Sequence, residues 1–300
     1  MKSRDNISLC RYAAQVSEWL YGCGRVRAAE TYMAAVKSFM NYRGGEDIPL
    51  CKIDSQMVVA YQYHLRNRGL SANTISFYIR NLRAIYNRAV EDGLVANNAP
   101  FRRAYTGTSK TAKRALRAED IRRIAQLDLQ DNRRLQFAAD IFLFSLYTRG
   151  MAFVDIAHLR WSDIRSGYLV YNRRKTGQQI VIKWERCMAQ IAERYFSPST
   201  PYIFPIIKGR NPRREYLSAS HAINSALKTI GTMASIATPL TLYVARHSWA
   251  SIAYAQQVSV ATISRALGHN NESTTRIYLA SLDNSAVDIA NKIVLKSISF

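Results

Sequence analysis

Cysteine is scarce in this 300-residue chain. The four present, Cys10, Cys23, Cys51 and Cys187, are scattered, with no Cys-x-x-Cys pair and no histidine close by. Neither a zinc-ligand spacing nor a disulfide framework is visible, and the thiols read as reduced and structural. Acid is scarce as well: Asp and Glu total 21 against 42 Lys and Arg, a formal net charge of +21. That imbalance suits a polyanionic partner, nucleic acid first and an anionic membrane surface second. Long apolar runs are missing, and residues 1–7 lack the charged-then-apolar pattern of a signal segment. A membrane partner is therefore not expected, and a cytoplasmic protein is. There is no internal repeat, no low-complexity tract and, in the second half, no clustered set of Asp, Glu and His to hold a metal. A metal-dependent nuclease has no support.

What is present is enough apolar content, 48%, for two modest domains that each bury a core. Residues 8–101 read as helices only, broken at 22–24, 44–45 and 69–71, which predicts a small helical bundle. Its last strong helix spans about 72–90. Ile75, Ile79, Leu82 and Tyr86 recur at helical spacing, while Arg80, Arg83, Asn87 and Arg88 occupy other faces. A basic face opposite an apolar stripe is either a solvated surface or a nucleic-acid contact, and the global charge favours contact.

Between 102 and 117 the pattern collapses into small and polar residues carrying Arg102, Arg103, Lys110, Lys113, Arg114 and Arg117 without an acid. Such a linker can solubilise, or it can lie along a phosphate backbone. Beyond it, 118–127 and 135–148 read as helices, the second apolar on nearly every side and so central to a second core. Residues 168–171 and 179–184 are β-prone and flank the turn signal Lys175-Thr176-Gly177, predicting a hairpin. Helices return from about 218. The expected organisation is a helical domain over 1–101, a basic linker over 102–117 and a mixed domain over 118–300. The fold class is mainly α with a small β-hairpin or sheet.

Two stretches near the C-terminus carry chemistry. In Tyr243-Val244-Ala245-Arg246-His247, the i, i+3, i+4 spacing puts Tyr243, Arg246 and His247 on one face of a helix. An Arg beside a His can bind a phosphate bidentately and add a proton carrier, although such pairs also decorate ordinary surfaces. In the run from Leu267-Gly268-His269 to Ile277-Tyr278, Gly268 suits a helix end and Ser273 or Thr274 the cap of the next helix. A late tyrosine alone is usually packing.

Taken together, Arg246-His247, then Leu-Gly-His about twenty residues on, then Tyr nine residues after that histidine, resemble the C-terminal signature of the tyrosine recombinase (phage integrase) family. The resemblance covers the whole chain. It implies a helical core-binding domain, a linker, and a catalytic domain whose hairpin lysine is Lys175. It also implies a mechanism. Tyr278 attacks a backbone phosphorus to give a 3′-phosphotyrosine and a free 5′-hydroxyl, and the reverse attack reseals the strand. Bond energy is conserved, so neither ATP, metal nor other cofactor is expected. Arg246 would neutralise the transition state, Lys175 would protonate the leaving 5′-oxygen, and His247 and His269 would orient the phosphate or move the tyrosine proton.

The sequence departs from the family in two places. The expected Thr-Gly-x-Arg-x-x-Glu appears as Arg149-Gly150-Met151-Ala152-Phe153-Val154-Asp155, with Ala152 where the arginine belongs. Arg149, one turn earlier if the segment is helical, or Arg173 from the hairpin could replace it. Tyr243 stands where His or Lys is usual and can donate a hydrogen bond but not carry protons near neutrality. A similar pattern occurs in a bacterial branch of DNA invertases and mobile-element integrases. The resemblance implies double-stranded DNA with short inverted-repeat sites as partner and a tetramer on two sites, exchanged through an amphipathic tail over 284–298. It further implies accessory DNA-bending or directionality proteins as partners of some members. A bacterial member would be nucleoid-associated when bound. The chain is expected to begin directly with the core-binding domain, which favours an invertase or a simple integrase. The rivals are a type IB topoisomerase-like enzyme and a catalytically inactive DNA-binding protein.

Overall fold

The computed structural model describes residues 7–109, 114–269 and 271–279, without the side chains of Ile277 and Tyr278. The chain divides into two compact units, Met1–Lys110 and Thr111–Phe300.

The first unit is built on α1 (Leu9–Gly22), α2 (Val26–Tyr42), α3 (Ser55–Asn67) and α4 (Ala72–Glu91). Side chains satisfy helix starts that would otherwise leave amides orphaned: Ser8 accepts from the Arg11 amide, Asp54 from Met57 and Ser71 from Thr74. The predicted stripe of α4 is buried, with Ile75, Ile79, Leu82 and Tyr86 packed beside Phe39, Tyr61 and Leu65. Burying each of these side chains is worth about 1.5–3 kcal/mol. Arg80 and Arg83 stay exposed. Arg88 is half-buried, its guanidinium 4.4 Å above the Trp19 ring, a stacking that engages the flat face and not the N–H edge.

The first half of the basic segment expected as a linker over 102–117 is held by hydrogen bonds to the first unit. The Tyr105 amide donates to Gln62 Oε1 (2.6 Å), and Asn73 clasps Ser109 through both its amide nitrogen (2.9 Å) and its oxygen (2.8 Å). Residues 102–109 thus belong to the first unit. The reason lies in the polar partners Gln62 and Asn73, which a hydrophobic-pattern reading cannot see.

The second unit is centred on α6 (Arg133–Tyr147), whose residues Leu135 and Ala138 through Leu146 are all buried, as the all-round apolar pattern requires. Its buried Asp140 is satisfied by Arg194 (2.8 and 3.0 Å) and the Tyr195 hydroxyl (2.7 Å), which removes the penalty of a lone interior charge. Around α6 lie α5 (Ala118–Ala125), α7 (Phe153–Ile156), α8 (Arg186–Glu193) and α9 (Pro212–Met233). They are followed by α10 (Leu242–Ala255), α11 (Val260–Leu267) and α12 (Glu272–Leu279).

The sheet has three antiparallel strands in the order β1 (Ile164–Arg165), β2 (Tyr168–Asn172), β3 (Gln179–Lys183). The β2–β3 register pairs Leu169 with Ile182 and Tyr171 with Ile180, confirming the hairpin. Helix α9 starts six residues before the expected 218, because Asn211 caps it and Pro212 occupies its first turn. The two-residue β1 is too short to leave a pattern.

No described helix is long and apolar enough to cross a membrane. The tail expected at 284–298 lies outside the described residues, as do Lys110 and Lys113.

Candidate active site

Arg246 is the centre of the constellation. It lies on α10 and is 6% exposed. Its Nη1 donates to the Gly150 carbonyl (2.8 Å), and its Nη2 donates to the Leu267 carbonyl (2.5 Å) and lies 3.2 Å from His269 Nε2. One guanidinium therefore holds the turn before α7 and the loop between α11 and α12.

The turn is left-handed at both Arg149 (φ 60°) and Gly150 (φ 72°). It cannot carry a side chain at 150, since a Cβ there would sit 2.7 Å from Arg246 Cα. This overturns the premise that 149–152 is helical: α7 begins only at Phe153, with Ala152 as its N-cap. Arg149 consequently points elsewhere, with Nη1 3.4 Å from the Val181 carbonyl on β3.

Arg173 takes the opposite course. It is 8% exposed, forms no ion pair among the described residues, and donates through Nη1 to the Gly268 carbonyl. Gly268 ends α11 in the left-handed conformation (φ 64°), as expected. A Cβ on it would lie 2.8 Å from Arg173 Cδ and 3.0 Å from Ile180 Cδ1. Both the backbone angle and the space require glycine. Arg246 and Arg173 thus grip adjacent carbonyls of one loop.

His269 completes that loop. A guanidinium only donates, so Nε2 must be the accepting nitrogen and Nδ1–H donates to Thr275 Oγ1 at 2.8 Å. Burial first, then the charges of Arg246, Arg173 and Lys175, push the His269 pKa down to about 4. The imidazole is neutral at physiological pH. Because the folded value lies below the ordinary 6.5, the folded state disfavours protonation. The stability this confers is present above pH 6.5 and is lost as pH falls toward 4. Discounted for partial exposure, the loss is about 1 kcal/mol. Denaturant unfolding at pH 7.5 and 4.5 should show it, and His269→Asn should flatten that difference. An unchanged pH difference in the variant would refute this tautomer and its environment.

Lys175 is exposed in the hairpin turn, yet its charge reaches His269. His247 is 5% exposed, and its ring meets Tyr243 edge-on at 4.6 Å. Tyr243 itself is 58% exposed; of the three residues predicted to share a face, Tyr243 and His247 meet, while Arg246 turns into the loop cluster.

Tyr278 lies on α12, its side chain outside the described part. That helix is capped by Asn271, whose Oδ1 accepts from the Ser273 amide (2.8 Å), rather than by Ser273 or Thr274. The His269–Thr275 hydrogen bond ties α12 to the cluster. Of the predicted DNA contacts, Arg102, Arg103 and Arg114 are exposed.

Three residues were not anticipated. Asp155 is buried and accepts from the Arg174 amide (2.9 Å), fixing the hairpin. Burial raises its pKa, opposed by that hydrogen bond and by Arg173, Arg246 and Arg174. Its signal was available, since it occupies the acid position of the Thr-Gly-x-Arg-x-x-Glu stretch. Thr275 and Tyr171 leave no signal, because the neighbours each one meets are brought close only by folding.

Comparisons with known proteins show the family of this chain. Residues 8–106 match the phage integrase SAM-like domain, and residues 114–285, more than half of the chain, match the phage integrase family. The tyrosine recombinase XerD of Listeria monocytogenes is 21% identical over 272 residues, covering 84% of this chain and 86% of that protein. The fold is similar to that of a lambda integrase dimer bound to a COC′ core site (TM-score 0.70, 20% identity, 91% of this chain and 95% of that one). A lambda integrase tetramer bound to a Holliday junction is also similar (TM-score 0.69, 20% identity, 92% and 78%). A helical SAM-like domain joined to a mixed catalytic domain defines a class of enzymes that cleave and rejoin DNA. The chain belongs to the phage integrase family, the tyrosine site-specific recombinases.

Proposed function

We propose that this recombinase uses Tyr278 as nucleophile and Arg246 with Arg173 as the phosphate clamp. The observation that carries this reading is the meeting of two buried guanidiniums on the adjacent carbonyls of Leu267 and Gly268. The next residue, His269, is hydrogen-bonded into the helix bearing Tyr278. The Tyr278 oxygen forms a bond to the scissile phosphorus as the bond to the 5′-oxygen breaks, with Lys175 giving the leaving oxygen its proton. His269, whose Nε2 is unprotonated, accepts the tyrosine proton once the phosphate draws Arg246 away, and His247 orients the phosphate. Asp155 holds the hairpin that presents Arg173 and Lys175.

The exposed Arg80, Arg83, Arg102, Arg103 and Arg114, with Lys110, Lys113 and the half-buried Arg88, follow the DNA backbone. The partner is duplex DNA with short inverted repeats. The active species is a tetramer on two sites, joined by residues 284–298, and the outcome is inversion or integration and excision in the bacterial cytoplasm. The experiment is trapping on a nicked suicide duplex without divalent metal. A denaturation-resistant adduct made by the wild type supports the mechanism, and tight binding without an adduct on a verified site would sink it.

The replacement for the missing arginine is testable separately. Arg173→Gln should lower cleavage by about 10²- to 10³-fold, the scale of losing one transition-state donor. Arg149→Ala, whose guanidinium faces β3, should stay within about 3-fold. The reverse ranking in single-turnover cleavage would reassign the clamp to Arg149.

A further inference from the structure

We propose that the Tyr171 hydroxyl is a further catalytic group, donating a hydrogen bond to a non-bridging oxygen of the scissile phosphate. The inference rests on the clamp proposed above and goes beyond it, because Tyr171 lies outside the arginine, lysine and histidine set.

Tyr171 lies on β2 two residues before Arg173, which follows the strand and continues its pairing through the Arg173 amide and the Gln178 carbonyl (2.8 Å), so the two share a face of the hairpin. Its strand partner is Ile180, the side chain that bounds Gly268 beside Arg173. The ring packs on the catalytic core and is half-buried. Its hydroxyl makes no hydrogen bond with another described residue, and its oxygen is not sealed from solvent. The charges acting on it are those of Asp155, Arg173, Arg246 and Arg149. Burial, then Asp155, raises its pKa against those arginines, so it keeps its proton and can only serve as a neutral O–H toward an anion. A phenol with an open donor beside Arg173, in the field of Arg246, is set where a phosphate oxygen would be welcomed.

The position also answers a physical problem at Ala152. Losing a guanidinium there removes donors from the phosphate, but adding another cation beside Arg173 and Arg246 would meet their repulsion. A neutral donor supplies a hydrogen bond without that repulsion.

Tyr171→Phe removes the oxygen alone. We expect single-turnover cleavage of the suicide duplex to fall about 10- to 100-fold, the effect of losing one hydrogen bond to a charged group. DNA affinity and melting temperature should be unchanged, since the hydroxyl has no partner to lose among the described residues. The deciding measurement uses phosphorothioate diastereomers at the scissile phosphate. For one of them, sulfur should slow the wild type and slow Tyr171→Phe no further. Wild-type cleavage by Tyr171→Phe would overturn the proposal. So would a rate loss that combines with sulfur independently in both diastereomers, which would mean that Tyr171 acts through Asp155 or packing. Adduct formation by the wild type but not by Tyr278→Phe on the same duplex judges the underlying clamp separately.

Discussion

Tyr278→Phe should bind recombination-site DNA with wild-type affinity and form no covalent adduct, cleavage falling about 10⁴-fold or more. Affinity resides in the basic surface, and the formal charge of +21 is untouched by this change. Only the attacking oxygen disappears. The neighbouring fixtures of α12, the Asn271 cap and the Thr275 hydrogen bond to His269, do not involve position 278. Gel-shift titration and denaturing electrophoresis of the same reactions measure both halves of the prediction. An adduct persisting above about 1% of the wild-type yield would require another nucleophile.

The second large effect comes from a residue with no reactive group. Gly150→Ala would put a methyl group 2.7 Å from the Cα and 2.8 Å from the Cγ of Arg246, and backbone cannot move aside as a side-chain tip can. The left-handed angle adds about 1–2 kcal/mol and the overpacking about 1–3 kcal/mol. We expect a total near 4 kcal/mol, seen as a fall of about 10 °C in the melting transition of the catalytic unit. Cleavage should be lost even at temperatures where the variant stays folded, because the Gly150 carbonyl positions Arg246. Gly177→Ala is the control. It has a similar φ of 70° but nothing within 4 Å of the added Cβ, so about 1 kcal/mol and no loss of chemistry are expected. Equal effects of the two substitutions would refute the close-approach argument.

The contrast between these two glycines also marks what can be read from sequence. Helix α4, the buried α6, the hairpin and the Gly268 helix end were legible because each rests on local periodicity or a local backbone requirement. Arg246, His247 and His269 were singled out through motif spacing, and Lys175 as the hairpin lysine that the family resemblance implies. The different settings of Arg149 and Arg173 were not legible, for they turn on two successive left-handed residues that carry Arg149 toward β3. Nor was the Asn271 cap distinguishable from its neighbours Ser273 and Thr274, which are equally good capping types. Tyr171, Thr275 and the clasp of Asn73 on Ser109 depend on contacts between distant segments, for which the order of residues offers no periodic trace.

The three acceptors around Arg246 bear on how such a site can drift over time. The guanidinium contacts main-chain oxygens of Gly150 and Leu267 and one imidazole nitrogen, so the side chain of Leu267 is free of that particular duty while the path of its backbone is not. Ala152, by contrast, serves α7 through its carbonyl, which accepts from the Asp155 and Ile156 amides at 2.8 and 3.1 Å. Any residue able to adopt its extended backbone can do the same. An arginine could therefore be lost there without dismantling the scaffold, provided another lineage of contacts, rooted in the hairpin, had already taken up the charge.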